Sequence, residues 1–189
     1  AFVEEGGYEV RERSEGAKVL YRFQKPKAGD FPAMLELFSR AREGLKLSED
    51  AHLTPLPIDK AAASLSAILL DESYYDFLKS MVREVGGIPV LGEAAIIPFK
   101  ARAWLDLTRQ REEGGNVDEK NIRKHRNDVA RLLQLLSQEA RYELPSSVAD
   151  DMRSFVEQAT AEADYDPRQF KVNMTRDDVA TRLRAAYQL

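Results

Sequence analysis

Strand-like segments in the first half of the chain and helical periodicity through the second predict an α+β fold, a partial sheet followed by a carboxy-terminal helical bundle. Three observations carry that reading. Residues 8–13 and 18–23 alternate apolar and charged side chains on either side of Ser14-Glu15-Gly16, the pattern of a β-hairpin. From about residue 99 onward, apolar residues return every three or four positions, as on a helix with one buried face. The change of character falls at Pro98, so the expected division is an α/β region over residues 1–97 and a helical region over 98–189.

Taken in order, the hairpin gives way to a loop at residues 24–32, which holds Pro26, Gly29 and Pro32. Residues 34–38 then read as a short apolar strand with Glu36 in its middle. Residues 52–58 contain Pro55 and Pro57 and suit only an edge strand, because proline removes a ladder donor. Residues 64–70 suit a buried strand. Tyr74, Phe77, Leu78 and Met81 share one helical face, which predicts a helix over 71–84 stopped by Gly86-Gly87. Residues 88–97 read as an apolar β-branched run, with Pro98 in the first turn of the next helix. After Gly114-Gly115-Asn116, Asp118 caps a second helix bearing Ile122, Val129, Leu132, Leu133 and Leu136. A third starts at Pro145-Ser146 and runs to about residue 163, and Thr175 with Asp178 caps a last one.

With 189 residues, 43% of them hydrophobic, the chain is long enough to bury a real core. It has no cysteine, which excludes disulfides and thiolate metal sites and suits a reducing, cytoplasmic setting. No apolar run approaches the roughly 20 residues of a membrane helix. A net charge of −4 argues against whole-surface attraction to nucleic acid. The chain opens Ala1-Phe2-Val3 without methionine and is strand-like by Tyr8, so it is expected to be cut from something longer.

Chemistry concentrates in two stretches, Pro98-Phe99-Lys100-Ala101-Arg102-Ala103-Trp104-Leu105-Asp106-Leu107 and Lys124-His125-Arg126-Asn127-Asp128-Val129. Together with Leu35-Glu36-Leu37-Phe38 and the run 64–70 before Tyr74-Tyr75, they resemble the AbiEii/AbiGii group of abortive-infection nucleotidyltransferase-like toxins, over roughly residues 6–136. That resemblance implies a nucleotidyltransferase-like sheet and transfer of a nucleotide from a nucleoside triphosphate to an RNA or protein acceptor. It also implies Mg2+ as cofactor and an antitoxin as partner, in a toxin–antitoxin or phage-defence role. On it, Lys100 is the triphosphate ligand, Asp128 the catalytic carboxylate and Glu36 the metal-binding one. The family's Asp-x-Asp pair is not found, so the chain alone is expected to be inactive. The departure of His125 and Arg126 from the family's usual acidic position weakens the match locally.

Each residue also has a plainer reading. Lys100 is a cation beside the stripe of Trp104 and Leu107 and suits a lysine whose stem is buried and whose head is hydrated. Asp128 suits an i,i+4 ion pair with Lys124. Glu36 suits a solvent-facing strand residue. His125, between Ile122 and Val129, suits a core histidine satisfied by a hydrogen bond. Gly6-Gly7 reads as a turn, and Asp164-Tyr165-Asp166 as a helix end followed by Pro167 rather than a metal pair. The basic run Lys120, Arg123, Lys124, Arg126 and Arg131 is diluted by Glu119 and Asp128 and reads as a solvated face. The rival to the enzyme is a non-catalytic protein-binding module.

Overall fold

A computed structural model describes residues 2–12, 18–36 and 72–189, with side chains over 2–9, 23–35 and 72–189. The architecture mixes helices with two small antiparallel sheets, as an α+β chain should. It divides into two compact units, residues 1–59 and 60–189.

In the first unit a short helix α1 (Phe2–Glu5), absent from the sequence expectations, precedes strands β1 (Glu9–Glu12), β2 (Lys18–Gln24) and β3 (Met34–Glu36). They form one antiparallel sheet in the order β1-β2-β3. The expected hairpin is β1–β2, with Glu9 opposite Gln24 and Val10 opposite Phe23. Gly6-Gly7 is the expected turn, and Gly7 takes a positive φ of 60°. Glu36 is the last residue of β3, opposite Arg22. Its side chain lies outside the described residues, as do the strands expected over 52–58 and 64–70.

The second unit opens with α2 (Glu72–Ser80), which ends four residues earlier than expected. Val82–Val85 then forms strand β4, paired antiparallel with β5 (Ile88–Leu91), Val85 opposite Ile88. Gly86 and Gly87 are therefore a hairpin turn, not a helix stop. Their φ values of 60° and 80° are those of a two-residue loop whose twist matches the strands, and Val82 and Val85 favour strand over helix.

Helix α3 (Glu93–Glu112) follows at once, so the apolar run over 88–97 is half strand and half helix, and position 97/98 lies inside a helix. Pro98 stands six residues in, not in the first turn. A proline there cannot donate to the carbonyl four residues back, that of Ala94. The buried Tyr187 hydroxyl fills the gap and donates to the Ala94 carbonyl at 2.9 Å. Gly115 closes α3: its N–H donates to the Gln110 carbonyl at 2.8 Å, and a Cβ there would meet that oxygen at 2.6 Å.

Helices α4 (Glu119–Leu133), α5 (Ser146–Ala161) and α6 (Arg176–Tyr187) complete the unit, with a 3-10 turn at Pro167–Phe170 before α6. The caps are those expected. Asp118 accepts from the Lys120 N–H, while Thr175 and Asp178 form a reciprocal capping box. Trp104 packs edge-on to Phe155 at 5.4 Å, in a core shared with Leu107, Val129, Leu133, Met152 and Leu183. Tyr74, Phe77, Phe99, Ala103 and Val148 make a second cluster under α2. Burial of these aromatic and aliphatic side chains, each contributing about 1.5–3 kcal/mol, holds the four long helices together.

Candidate functional site

Helices α3 and α4 pack side by side and run in opposite directions, which sets Lys100 across from Asp128 although they are 28 residues apart in sequence. Lys100 Nζ lies 3.0 Å from Asp128 Oδ2, and the two side chains are 28% and 20% exposed, so the pair can be reached from solvent. The other carboxylate oxygen, Oδ1, accepts from Arg131 at 3.2 Å. Asp128 thus serves two cations, neither of them the Lys124 that helical spacing alone would have chosen.

His125 stands one turn before Asp128. Its Nδ1 is buried without a hydrogen-bond partner, which corrects the expectation of a satisfied core histidine. Burial pushes the imidazole down to about 4, the Lys100 charge pushes it the same way, Asp128 opposes them, and Lys124 lowers it further. At neutral pH the ring is uncharged, so Lys100 and Arg131 are the two cations bonded to Asp128 and His125 adds no third.

Two residues before Asp128, and roughly 200° around the helix, α4 does the opposite. Arg126 is 3% exposed, so the basic run is not a solvated face at this position. Its guanidinium bonds Glu162 and, at 3.1 Å, Asp164, and lies 4.7 Å from the centre of the Tyr165 ring. The hydrogen bond from Arg126 holds the Asp164 carboxyl below its usual range, while burial lifts the Tyr165 hydroxyl to about 12. Asp166 accepts from the Arg168 N–H and side chain, capping the 3-10 turn. Asp164 and Tyr165 thus clasp Arg126, and Asp166 caps the turn that follows.

A third polar group ties α2, α3 and α5 together. Tyr74 Oη donates to Asp151 at 2.8 Å, and Arg102 bonds both Asp151 at 2.6 Å and Asp106 at 3.1 Å. Burial works against the Arg102 charge, but Asp151 and Asp106 outweigh it and raise its pKa. Arg102, Asp106 and Asp151 line a shallow cavity of about 290 Å3, where Arg109 also donates to Asp106 at 2.9 Å, so that two guanidinium groups meet two carboxylates.

Of the three residues singled out in the sequence, Lys100 and Asp128 come together. Glu36 belongs to the other unit. Among the described residues there is no group of three or more His, Asp or Glu side chains fit to hold a metal ion. Mg2+ keeps several of its waters and is usually held by one or two carboxylates together with substrate phosphates, and Asp128 is already shared by two cations. What sequence reading missed is the burial of Arg126 and the unpartnered nitrogen of His125. Tyr165, an aromatic residue between two acids, is the one signal that pointed to the first. No family model matches the sequence, and no curated protein or solved structure is significantly similar to it.

Proposed function

We propose that this chain is part of a nucleotidyltransferase-like protein of the AbiEii/AbiGii kind, moving a nucleotide from a nucleoside triphosphate onto an RNA or protein acceptor in a toxin–antitoxin or phage-defence setting. The observation that carries the reading is the Lys100–Asp128 pair. A lysine and a carboxylate from two separate helices meet at 3.0 Å in a partly exposed seam, where the resemblance assigns a triphosphate ligand and an active-site acid. In such a reaction the acceptor oxygen attacks the α-phosphorus, the bond to the β-phosphate oxygen breaks, and pyrophosphate leaves. Catalysis is then mostly positioning and charge stabilisation. Lys100 holds the phosphates as a point charge, and Asp128 sits beside the reacting groups. Mg2+, which the resemblance implies, would supply charge neutralisation on the phosphates when bound.

The test is a transfer assay with labelled nucleoside triphosphates and Mg2+, on this chain and on a form extended at its amino terminus to carry an Asp-x-Asp segment. The chain alone should transfer nothing. In the extended form Lys100→Ala should weaken triphosphate binding, and Asp128→Asn should lower turnover more than affinity. Wild-type transfer by both variants would overturn the reading.

A second reading, a non-catalytic protein-binding module, is favoured by the exposed apolar side chains Val82, Val85 and Ile88 on the β4–β5 hairpin. Loss of a partner on Val85→Asp, with no nucleotide dependence of that partner's binding, would support the module over the enzyme.

A further inference from the structure

We infer that the Lys100–Asp128 pair is a self-occupied phosphate site, in which Asp128 holds the place of a phosphate on Lys100 and moves fully onto Arg131 when a polyphosphate arrives. This rests on the reading of Lys100 as a phosphate ligand and adds how that ligand is kept before substrate binds. Three features of the seam carry it. First, both partners are partly exposed, so a polyanion can reach Lys100 without opening the core. Second, Asp128 is already bonded to Arg131 through its other oxygen at 3.2 Å, so losing Lys100 does not leave its charge unpaired. Third, cations outnumber the carboxylate in this contact: Lys100 and Arg131 are both bonded to Asp128, while the neutral His125 adds no charge. By contrast, the Arg126 side chain on the far side of α4 is buried and already bonded to both Glu162 and Asp164, and offers no such exchange.

The consequence is opposite in sign to what removal of a site residue ordinarily does. Asp128 competes with phosphate for Lys100, so replacing it frees the lysine and strengthens binding of a polyphosphate in the absence of metal. A partly exposed ion pair is worth up to about 1 kcal/mol, which corresponds to an affinity gain of about fivefold.

The experiment is a metal-free titration of the 15N-labelled chain with inorganic tripolyphosphate, followed by NMR. Wild type should bind weakly with shifts centred on Lys100. Asp128→Asn and Asp128→Ala should each bind about fivefold tighter, and Lys100→Ala should lose binding. If Lys100→Ala loses binding but both Asp128 variants bind no tighter than wild type, the self-occupied site is overturned while the phosphate reading stands. If Lys100→Ala binds as wild type does, the phosphate reading falls and this inference with it. Should the Asp128 variants not fold, the carboxyl carbon of Asp128 in 13C-labelled wild type provides the second readout. It should shift on saturation with tripolyphosphate, and a constant shift overturns the displacement.

Discussion

The two faces of α4 handle charge in contrasting ways. On one, Arg126 is 3% exposed and gripped by Glu162, Asp164 and the ring of Tyr165. On the other, Lys100 and Asp128 are 28% and 20% exposed, and the carboxylate divides itself between two cations. A buried charge stays folded only with its partners in place, since leaving one uncompensated costs several kcal/mol. An exposed pair is held by about 1 kcal/mol or less and exchanges readily. The same helix therefore carries a lock on one side and a replaceable contact on the other, and the replaceable one suits a ligand.

The largest expected effect lies on the locked face. The double substitution Glu162→Gln and Asp164→Asn keeps the shapes but leaves the buried Arg126 guanidinium beside neutral groups, and should cost about 1–3 kcal/mol in urea unfolding, the upper value being reduced because the two acids are themselves partly exposed. Triphosphate binding at Lys100 should be unchanged. A loss under about 1 kcal/mol, the range of exposed pairs, would erase the distinction between the faces.

Next in size is the repair at Pro98. Tyr187→Phe removes the hydroxyl that serves the Ala94 carbonyl and should cost about 1–2 kcal/mol. In a Pro98→Ala background the restored N–H takes that carbonyl, so the same substitution should cost much less. Equal costs in both backgrounds would mean the tyrosine does not compensate for the proline.

Much of this layout was legible in the sequence, and the exceptions have physical causes. The caps at Asp118 and at Thr175 with Asp178, the stripes of α4, α5 and α6, and the first hairpin are all local patterns, and they stand. Gly86-Gly87 was ambiguous because a glycine pair both ends helices and turns hairpins, and only pairing of Val85 with Ile88 decides. Pro98 misled because its missing hydrogen bond is supplied by Tyr187, 93 residues away from Ala94. Arg126 misled for a similar reason: its acids come from beyond α5, so nothing within α4 distinguishes it from Arg123. Lys100 and Asp128 were picked out by resemblance, whereas their contact depends on how α3 and α4 pack.

A pH-dependent effect separates His125 from its neighbours. Its folded pKa is about 4 against about 6.5 when unfolded, so between those pH values the unfolded chain binds a proton that the folded one does not. Stability should therefore rise with pH across that window and fall as pH drops from about 6.5 toward 4. His125→Gln should flatten the slope. The depressed carboxyls of Asp164, Asp166 and Asp178 act below their ordinary value of 3.8, outside the window. An unchanged slope in the variant would contradict the neutral, buried ring. Smallest of all, Lys100→Ala should shift unfolding by no more than about 1 kcal/mol, since the pair it breaks is replaceable.

The central claim, that Lys100 receives a triphosphate, is tested most directly by its own chemical reactivity. Acetylation of each lysine by a limiting reagent, read by mass spectrometry with and without a saturating nucleoside triphosphate, compares Lys100 with Lys120 and Lys124 on the neighbouring helix. The account predicts that the triphosphate protects Lys100 most strongly, with Lys124 following and Lys120 little changed. Labelling of Lys100 at the same rate in both conditions, while the nucleotide is demonstrably bound, would contradict it.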